Sequence, residues 1–421
     1  MTISFIEKQN NYSKIFIFSI YYLIFLLAFL INENSTGGAF QDYQGYRSLI
    51  DLFINDFTGT FLSFDQFGER HSPLIIILLS YLYKLELSDT LIRFIFFNFS
   101  IISIIFFYKC LVIKFKKVQN NHLFLLSLIL FISPTFRSLS VWPDSRIIGF
   151  HFFTISVFYY LKYFDNEKKV INCYLNVFFL AISSYFSINF CLFGIFFFYK
   201  FYKDLLKNKK VLNYLLLNII LAFPAFYYLF ILDVFFINTG LTPGNENNSL
   251  GIKNNLNISN KILIISSIIF FYFIPFFFYL KKYFFLKQIN LKETSVLLIF
   301  TLVNIYLFNY QLFFTGGGIF FKVSNVIFNT NLLFFIVSTY SIFFVYALFI
   351  KTKSIDNIII LVIIILSNPQ LSIYHKYYDP LLLFLIFTIF DLKFTKKYFS
   401  IKNIGVLNLF YITFLMLNFI K

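Results

Sequence analysis

Blocks of apolar residues, separated by short polar connections, follow one another along nearly the whole chain. The blocks at 15–31 and 332–350 contain no charged residue. A helix rises about 1.5 Å per residue, so about 20 apolar residues cross the roughly 30 Å hydrocarbon core of a bilayer. The pattern therefore predicts an all-α, polytopic integral membrane protein. We expect about 13 transmembrane helices, near residues 15–31, 89–113, 122–137, 147–164, 172–187, 188–201, 211–231, 260–280, 294–314, 332–350, 357–367, 377–391 and 403–420.

The apolar stretch 172–201 allows two interpretations, because it is long enough for one helix or for two short spans. Ser183, Ser184, Ser187 and Asn189 interrupt it midway. Polar residues at that place favour two spans, whereas a single helix would invert the topology of every later segment.

The stretch from Pro73 to Leu85 has only 13 residues, which is too short for a span. If it crossed the membrane, it would also reverse the charge pattern of the later connections. We therefore expect a helix lying at the outer interface, with Pro73 in its first turn and Ser72 as its N-cap.

Composition supports a membrane protein and excludes a soluble one. Of the 421 residues, 59% are hydrophobic and 13% are charged, whereas about a quarter of a soluble domain is charged. The net charge of +16 would indicate nucleic-acid binding in a soluble protein, but here the charge follows the topology and no nucleic-acid partner is expected. The three cysteines lie in or beside apolar blocks, which predicts neither a disulfide framework nor a zinc site.

Lysine and arginine predict the orientation of the spans. The connections that we assign to the cytoplasm, with their span ends, hold 24 of the 35 basic residues, as the positive-inside rule requires. The outer loops are then 32–88, 232–259, 315–331 and 368–376. We expect one membrane domain over 1–421, made of a module at 1–165 and variable transmembrane helices at 166–421.

The first polar constellation that suggests chemistry follows the first span, at residues 37–46. Its glycines permit tight turns and would bring Asp42 back toward the membrane surface. A carboxylate placed there can accept a proton from an acceptor hydroxyl as a general base, and Tyr46 would lie beside the substrate. The alternative is that Asp42 is an ordinary solvated loop acid.

A second constellation, Glu69, Arg70 and His71, precedes the interfacial helix. These side chains would face lipid headgroups or a lipid-linked phosphate. The alternative is a cluster that only anchors the chain at the level of the headgroups.

The third constellation surrounds a short outer connection and contains Arg137, Asp144 and Arg146. Arginine suits bidentate phosphate binding, while the nearby Trp142 is also typical of the membrane interface. The alternative is structural, with Asp144 paired to either arginine so that two spans are held together.

The fourth constellation, at 368–380, is the most polar short segment in the C-terminal half and includes His375, Lys376 and Tyr377. His375 and Lys376 would bind a phosphate or a pyrophosphate. The alternative is a hairpin turn whose lysine reaches the headgroups.

A fifth candidate is the run of three glycines at 316–318, near Lys322. Its backbone amides can approach an anion, although a flexible loop is the more ordinary explanation. All five constellations lie on the predicted outer face. Charged groups cost about 2.5–3.5 kcal/mol at the centre of a bilayer and tend to mark function, so their joint placement predicts one site on that face.

Taken in chain order, these features resemble the GT-C membrane glycosyltransferases, in particular the branch of protein O-mannosyltransferases and aminoarabinose lipid A transferases. That branch has an acidic motif after the first span, a His-Pro-Leu-type interfacial helix, an arginine opening the second span, a basic cytoplasmic loop, and Ser-Pro and Asp before the fourth span. The matching residues here are Asp42, His71 to Leu74, Arg93, Lys114 to Lys117, Ser133-Pro134 and Asp144. Lys376-Tyr377 with Pro380 is similar to an Arg-Tyr-and-Pro segment of the family. The resemblance covers about residues 15–165.

The resemblance implies a reaction and a set of partners. The donor would be a sugar on a polyprenyl phosphate, transferred with inversion at the anomeric carbon to an acceptor hydroxyl on a glycan, lipid or protein, next to membrane lipids. Asp42 would be the base and Asp144 a second acidic catalytic residue, while arginine and lysine side chains hold the donor phosphate. No cofactor is firmly implied; the carboxylates leave room for a divalent metal, but no ligand set is recognisable.

The chain departs from the family pattern in three respects. Tyr43 follows Asp42 where the family usually has Glu, and Lys376 stands where the family has Arg. No large outer domain follows the last spans. The abundance of Phe, Ile, Lys and Asn is typical of an AT-rich genome and suggests a bacterium, so we expect the inner membrane, with the site on the periplasmic face.

Two other classes of function stay open from the sequence. A polysaccharide polymerase of the O-antigen type would also be polytopic with basic outer loops, but it typically has a large outer loop in the C-terminal half, whereas 232–259 is modest. A non-enzymatic flippase or transporter of lipid-linked glycans often shows internal repeats and polar groups near the midplane, and neither is apparent here.

Overall fold

A computed structural model describes residues 2–36, 38–67, 72–165, 168–230, 257–277, 289–311, 316–368, 372–392, 394 and 396–419. Every regular element in these residues is helical, which confirms the predicted all-α class. Helices α1 to α19 are, in chain order, Thr2–Leu30, Ala39–Asn55, Phe57–Leu62, Leu74–Lys84, Asp89–Phe99, Ile101–Lys114, Asn120–Ser127, Pro134–Val141, Ser145–Asp165, Val170–Phe186, Phe193–Lys207, Val211–Phe230, Ile258–Phe277, Leu291–Tyr306, Gly318–Phe328, Leu332–Val345, Ile355–Leu366, Leu381–Thr388 and Ile401–Phe419. Short 3₁₀ turns lie at Phe64–Phe67, Leu128–Ile132, Ile188–Phe190, His375–Tyr377 and Lys396–Phe399, and a π-helical turn at Tyr346–Ile350.

Seven of the described helical segments are long and apolar enough to cross a bilayer. They are Ser13–Leu30, Asp89–Lys114, Ser145–Asp165, Val211–Tyr228, Ile258–Phe276, Leu332–Ile350 and Ile401–Phe419. Each coincides with a span predicted from the apolar blocks. An eighth candidate is a pair of segments, Asn120–Ile132 and Pro134–Val141, that bends by 61° at Ser133. Several long apolar helices thus indicate a membrane-embedded, polytopic protein.

The other five predicted spans are helices that do not meet the length of a span. Helices α10, α11 and α14 have 17, 15 and 16 residues, and α17 and α18 have 12 and 8. At 1.5 Å per residue, α17 is about 18 Å long, well short of the roughly 30 Å core. The structure therefore supports seven or eight spans among the described residues, and the count of about 13 stays a prediction.

The stretch 172–201 is divided into two helices, as the polar residues indicated. Helix α10 ends at Phe186, Ser187 has an extended backbone, and α11 begins at Phe193 after a 3₁₀ turn. Ser183 donates a hydrogen bond to the Gly149 carbonyl (2.7 Å). Gly149 allows a close approach of α9 and α10, because a Cβ at this position would lie 2.8 Å from Cβ of Ser187.

The apolar stretch after Pro73 forms the 11-residue helix α4, and its position at the interface stays a prediction. The helix begins one residue later than predicted, with Pro73 and not Ser72 at the N-cap, although the Ser72 hydroxyl accepts a hydrogen bond from the Leu74 amide (3.2 Å). Ile75, Ile76 and Leu79 are buried, and α4 packs on α2. The described part of the first outer loop is therefore a folded helical layer. The later segment 315–331 contains a helix as well, α15, whereas 231–256 lies outside the described residues.

Ion pairs among the described residues fall into two groups that match the predicted sides of the membrane. On the predicted cytoplasmic side, pairs join different connections or the span ends beside them: Lys116 with Asp165, Lys168 with Asp204, Lys200 with Asp356, and Lys351 with Glu293. The other pairs join residues of the predicted outer segments, or of the span ends next to them, at 33, 42, 47, 89, 93, 137, 144, 146 and 376. Within the described residues, no ion pair connects one group to the other.

Candidate functional site

The candidate site begins where the chain leaves the first span and turns into α2. Gly38 has a φ of +65°, in the left-handed region that glycine adopts without strain, and α2 starts at the buried Ala39. Asp42 lies in the first turn of α2, where the positive end of the helix dipole favours a carboxylate. The glycine turn thus places Asp42 at the start of α2, partly exposed, directly after the first span.

Asp42 binds two cations that come from distant parts of the chain. Its Oδ2 atom lies 3.0 Å from Nη2 of Arg146 and 2.8 Å from Nζ of Lys376. The Arg146 and Lys376 side chains are 11% and 5% exposed, whereas Asp42 is 33% exposed. Three constellations identified in the sequence therefore converge, and two buried positive charges bind Asp42, which is more exposed than the neighbouring Asp144.

Asp144 is a second carboxyl group in the same cluster and is fully buried. Its Oδ1 atom accepts a hydrogen bond from the Arg146 amide (2.7 Å), in the manner of an N-cap, at the start of α9. The Oδ2 atom is buried without a hydrogen-bond donor, and the side chain is close enough to Asp42 to interact with it. The structure thus places the two predicted catalytic acids next to each other.

Only some of the hydrogen-bond donors of the Arg146 guanidinium have acceptors. Nη2 donates to Asp42, but Nε and Nη1 are buried without a hydrogen-bond acceptor, and Nε lies 3.8 Å from Oδ1 of Asp144. Its central carbon lies 5.2 Å from the ring centroid of Tyr377, and Tyr46 is within electrostatic reach. Buried donors without acceptors are costly, so this arrangement suits an anion with several acceptor oxygens.

Burial and charge shift the pKa values of the cluster in opposite directions. Burial acts to raise the pKa of Asp42, but the charges of Arg146 and Lys376 outweigh it and hold this pKa below its ordinary value. Burial raises the pKa of Asp144, and the negative charge of Asp42 adds to the rise. Burial also lowers the pKa of Lys376, together with the positive charge of Arg146. The pair of acids therefore favours an ionised Asp42 beside an Asp144 that binds a proton more readily.

A small cavity of about 30 Å³ adjoins the cations. Its lining is mostly apolar, and its polar members include Arg146, Lys376, Asp379, Asn189 and Asn368. This volume holds only a few water molecules.

Asp379 is a buried acid of this region that the sequence interpretation did not single out. Its Oδ2 atom accepts hydrogen bonds from the Ser133 hydroxyl (2.7 Å) and the Thr135 amide (3.3 Å), which ties the segment of Lys376 to the start of α8. The available signal was its place three residues after Lys376 and directly before Pro380. Through these two hydrogen bonds, Asp379 holds the segment that carries Lys376 against the start of α8.

We expect Asp379→Asn to change how stability depends on pH. Burial raises the pKa of Asp379 to about 6, against the opposing effect of its hydrogen bonds. The folded protein then binds a proton that the unfolded chain releases near pH 4, so this group stabilises the fold in acid and the contribution is lost as the pH rises through about 6. The difference in melting temperature between wild type and Asp379→Asn should fall from pH 4 to pH 7 and then level off. Parallel curves for the two proteins would contradict this account, and Asp51→Asn, at an exposed position of α2, serves as the control.

Two predicted phosphate-binding arginines lie elsewhere. Arg137 donates through Nε and Nη2 to Oε2 of Glu33 (2.9 and 2.7 Å), and the Glu33 side chain is fully buried. Arg93 donates to the Val141 carbonyl (3.2 Å), and its guanidinium stacks 3.6 Å from the ring centroid of Trp142. Both side chains join the end of the first span to the segment before α9, so their contacts in this structure are structural.

The remaining predicted residues are distributed as follows. His375 turns away from Asp42 and contacts the hydroxyl of Tyr272 on α13. The amide of Gly317 donates to the Ile373 carbonyl (2.9 Å), so the glycine run packs against the segment of Lys376 instead of offering this amide to an anion. Glu69, Arg70 and His71 lie outside the described residues.

A divalent-metal site is not assembled in the part of the chain that the structure describes. No group of three or more His, Cys, Asp or Glu side chains is found there. The sequence left dependence on a divalent metal open, and it stays open.

Comparison with family models, with curated proteins and with solved structures found no match. The functional argument therefore rests on the geometry of this cluster.

Proposed function

We propose that this protein is a GT-C-like membrane glycosyltransferase, which takes a sugar from a polyprenyl phosphate and transfers it to an acceptor hydroxyl. The supporting observation is the buried guanidinium of Arg146, with two nitrogens that lack acceptors, beside Lys376 and Asp42. A phosphate diester supplies acceptor oxygens and negative charge at once, and arginine matches its geometry. Asp42 is the most exposed member of the cluster and therefore the one that an acceptor reaches.

The ion pairs of the unliganded site suggest how substrate binding activates the base. When the donor phosphate binds to Arg146 and Lys376, these two cations interact with the phosphate as well as with Asp42. The pKa of Asp42 rises as their charge is shared with the phosphate. Asp42 becomes a better proton acceptor in the complex than in the free protein.

The reaction then follows from the placement of charge. The acceptor oxygen attacks the anomeric carbon from the face opposite the phosphate and forms the new glycosidic bond with inversion. Its proton moves to Asp42, and the bond between the anomeric carbon and the phosphate oxygen breaks with its electron pair leaving on the lipid phosphate. Arg146 and Lys376 stabilise the charge that develops on this leaving group.

Asp144 has a supporting role in this scheme. Its Oδ1 atom fixes the start of α9, and with it the backbone of Arg146. Its raised pKa lets it hold a proton next to Asp42 and donate a hydrogen bond to that carboxylate or to a substrate oxygen.

The setting of the proposed reaction is the outer face of a bacterial inner membrane. Arg146 and Lys376 both contact Asp42, so the three residues share one side of the bilayer, and the charge pattern assigns that side to the exterior. The acceptor is then a glycan, a glycolipid or a protein of the cell envelope. The sugar is delivered on a lipid already exposed on that side.

The first test measures surface glycans by mass spectrometry in a host from which the gene has been deleted. The host carries an empty vector, the wild-type gene, or the gene with Asp42→Asn or Asp51→Asn. We expect one defined sugar to be missing with the empty vector and with Asp42→Asn, and restored by wild type and by Asp51→Asn. Full restoration by Asp42→Asn would overturn the assignment of the base, and single units without long chains would point to a polymerase.

A further inference from the structure

Asp379 is a fully buried acid, and no ion pair of the described residues includes it. The two basic side chains of the candidate site, Arg146 and Lys376, bind Asp42 instead. An ionised carboxylate that is buried without a counter-charge is costly. Asp379 therefore needs a positive charge, either a proton or a cation, that the neighbouring side chains do not supply.

Hydroxyl groups from several elements interact with the Asp379 carboxylate. Its Oδ2 atom accepts a hydrogen bond from Ser133 (2.7 Å), and the side chains of Thr135 and Tyr272 are close enough to interact with it. Tyr411 of α19 lies within electrostatic reach of Asp379, and its ring centroid is 6.4 Å from that of Tyr272. The start of α8, together with α13 and α19, thus supplies oxygen atoms around one buried carboxylate.

Three oxygens of this group have no hydrogen-bond partner. They are Oδ1 of Asp379, Oγ1 of Thr135 and the hydroxyl of Tyr411, and all three residues are fully buried. Buried polar atoms without partners are costly and call for an explanation. Carboxylate and hydroxyl oxygens are the kind of ligand that hard cations prefer, so one small cation would serve all three atoms.

The group also lies where two helical segments are interrupted. The eighth candidate span bends by 61° at Ser133, and the 3₁₀ turn His375–Tyr377 precedes Asp379 and the start of α18 at Leu381. In membrane proteins, interrupted helices are a recurrent setting for sodium and proton sites. The backbone around Asp379 therefore has the irregular form that such a site uses.

We propose that Asp379, Thr135 and Tyr411 bind a sodium ion. One positive charge matches the single carboxylate, whereas a divalent ion would leave a net charge buried. The fully buried surroundings favour a small ion over a larger one such as potassium. The bound ion strengthens the attachment of the 375–379 segment to the start of α8, and so helps to hold Lys376 in place.

The test measures thermal unfolding of the purified protein in detergent at neutral pH, followed by the fluorescence of Trp142. Chloride salts of sodium, potassium and choline are compared at equal ionic strength. We expect sodium to raise the melting temperature by a few degrees in a saturable manner, because a ligand that binds only the folded state stabilises it. Potassium and choline should have little effect. Asp379→Asn should remove the sodium effect, and Asp51→Asn, at an exposed position of α2, should keep it.

A second variant, Tyr411→Phe, removes one proposed ligand without removing a hydrogen bond, since the Tyr411 hydroxyl has no partner. We expect it to be as stable as wild type in choline, but to need several times more sodium for half of the maximal shift. Tyr306→Phe, at an exposed tyrosine of α14, is the matched control and should respond to sodium as wild type does. This pair keeps the test decisive if Asp379→Asn does not give a monodisperse protein.

An equal response to sodium and potassium, or an unchanged sodium response in Asp379→Asn or Tyr411→Phe, would overturn the sodium site and leave a proton as the positive charge at Asp379. The pH dependence expected above for Asp379→Asn applies to buffer without sodium, because bound sodium stabilises the ionised wild-type protein at neutral pH. The measurement does not depend on glycan transfer. Its failure would leave the proposed function standing, and failure of the proposed function would leave the sodium site standing.

Discussion

Replacing Arg137 by methionine is expected to destabilise the folded protein severely. The substitution leaves the Glu33 carboxylate buried without its partner, since Oε2 of Glu33 receives both short hydrogen bonds of the pair from Arg137. Breaking a buried ion pair from one side typically costs about 3–5 kcal/mol. The lost hydrogen bonds from Arg137 to the Ile24 and Phe131 carbonyls add to this, because they join α1 to the bent segment before α8.

Thermal unfolding of the purified protein in detergent gives the measurement. Trp142, the sole tryptophan of the chain, donates its indole N–H to the Glu33 carbonyl (3.1 Å), so its fluorescence reports directly on this region. The double variant Glu33→Gln with Arg137→Met should be markedly more stable than Arg137→Met alone, because the unpaired charge is removed. Equal destabilisation in the single and double variants would show that packing, rather than the ion pair, is the cause.

Replacing Arg146 by methionine is expected to abolish function. Loss of one preorganised electrostatic group commonly costs about 10²–10³-fold in rate, and Arg146 bears the two unsatisfied donors that we assign to the phosphate. Arg146→Lys keeps the charge but not the planar fork, so it should recover only part of the activity. The measurement is the amount of the missing sugar restored in the deletion host, set against the amount of protein in the membrane.

Arg47→Met is the matched control. Arg47 lies on the same helix as Asp42, its side chain is 43% exposed, and it stacks 4.2 Å from the ring centroid of Tyr83. We expect it to restore the glycan as well as wild type does. Full restoration by Arg146→Met at normal expression would remove Arg146 from the site.

Much of the fold follows from the apolar pattern, because a helix that crosses the hydrocarbon core of a bilayer must be apolar over a fixed length. The seven long helices were predicted with nearly correct ends, since a helix of 18 or more apolar residues has few alternatives to crossing a bilayer. The five shorter helices show the limit of this rule. In Ile355–Leu366, for example, Ile360, Leu361, Ile363 and Ile364 are buried within the protein, and hydropathy does not distinguish such burial from contact with lipid.

The sequence predicted which residues belong to the site better than it predicted the contacts that they make. The sequence indicated that Asp42, Asp144, Arg146 and Lys376 lie on one face of the membrane, and the structure brings them together. The sequence did not show that Arg137 pairs with Glu33, because an acidic residue at the end of a span has the same local sequence pattern as any other acid in a loop. Pairing between residues that are 104 positions apart depends on how the helices pack, which local patterns do not encode.

The most direct test of the central claim is an analysis of lipid-linked precursors by mass spectrometry. It compares the deletion host with the empty vector, the wild-type gene and Asp42→Asn. If the protein consumes a polyprenyl-phosphate sugar, a polyprenyl monophosphate bearing one sugar should accumulate with the empty vector and with Asp42→Asn, and return to the normal level with wild type. Unchanged monophosphate sugars, or accumulation of pyrophosphate-linked repeat units instead, would contradict the account.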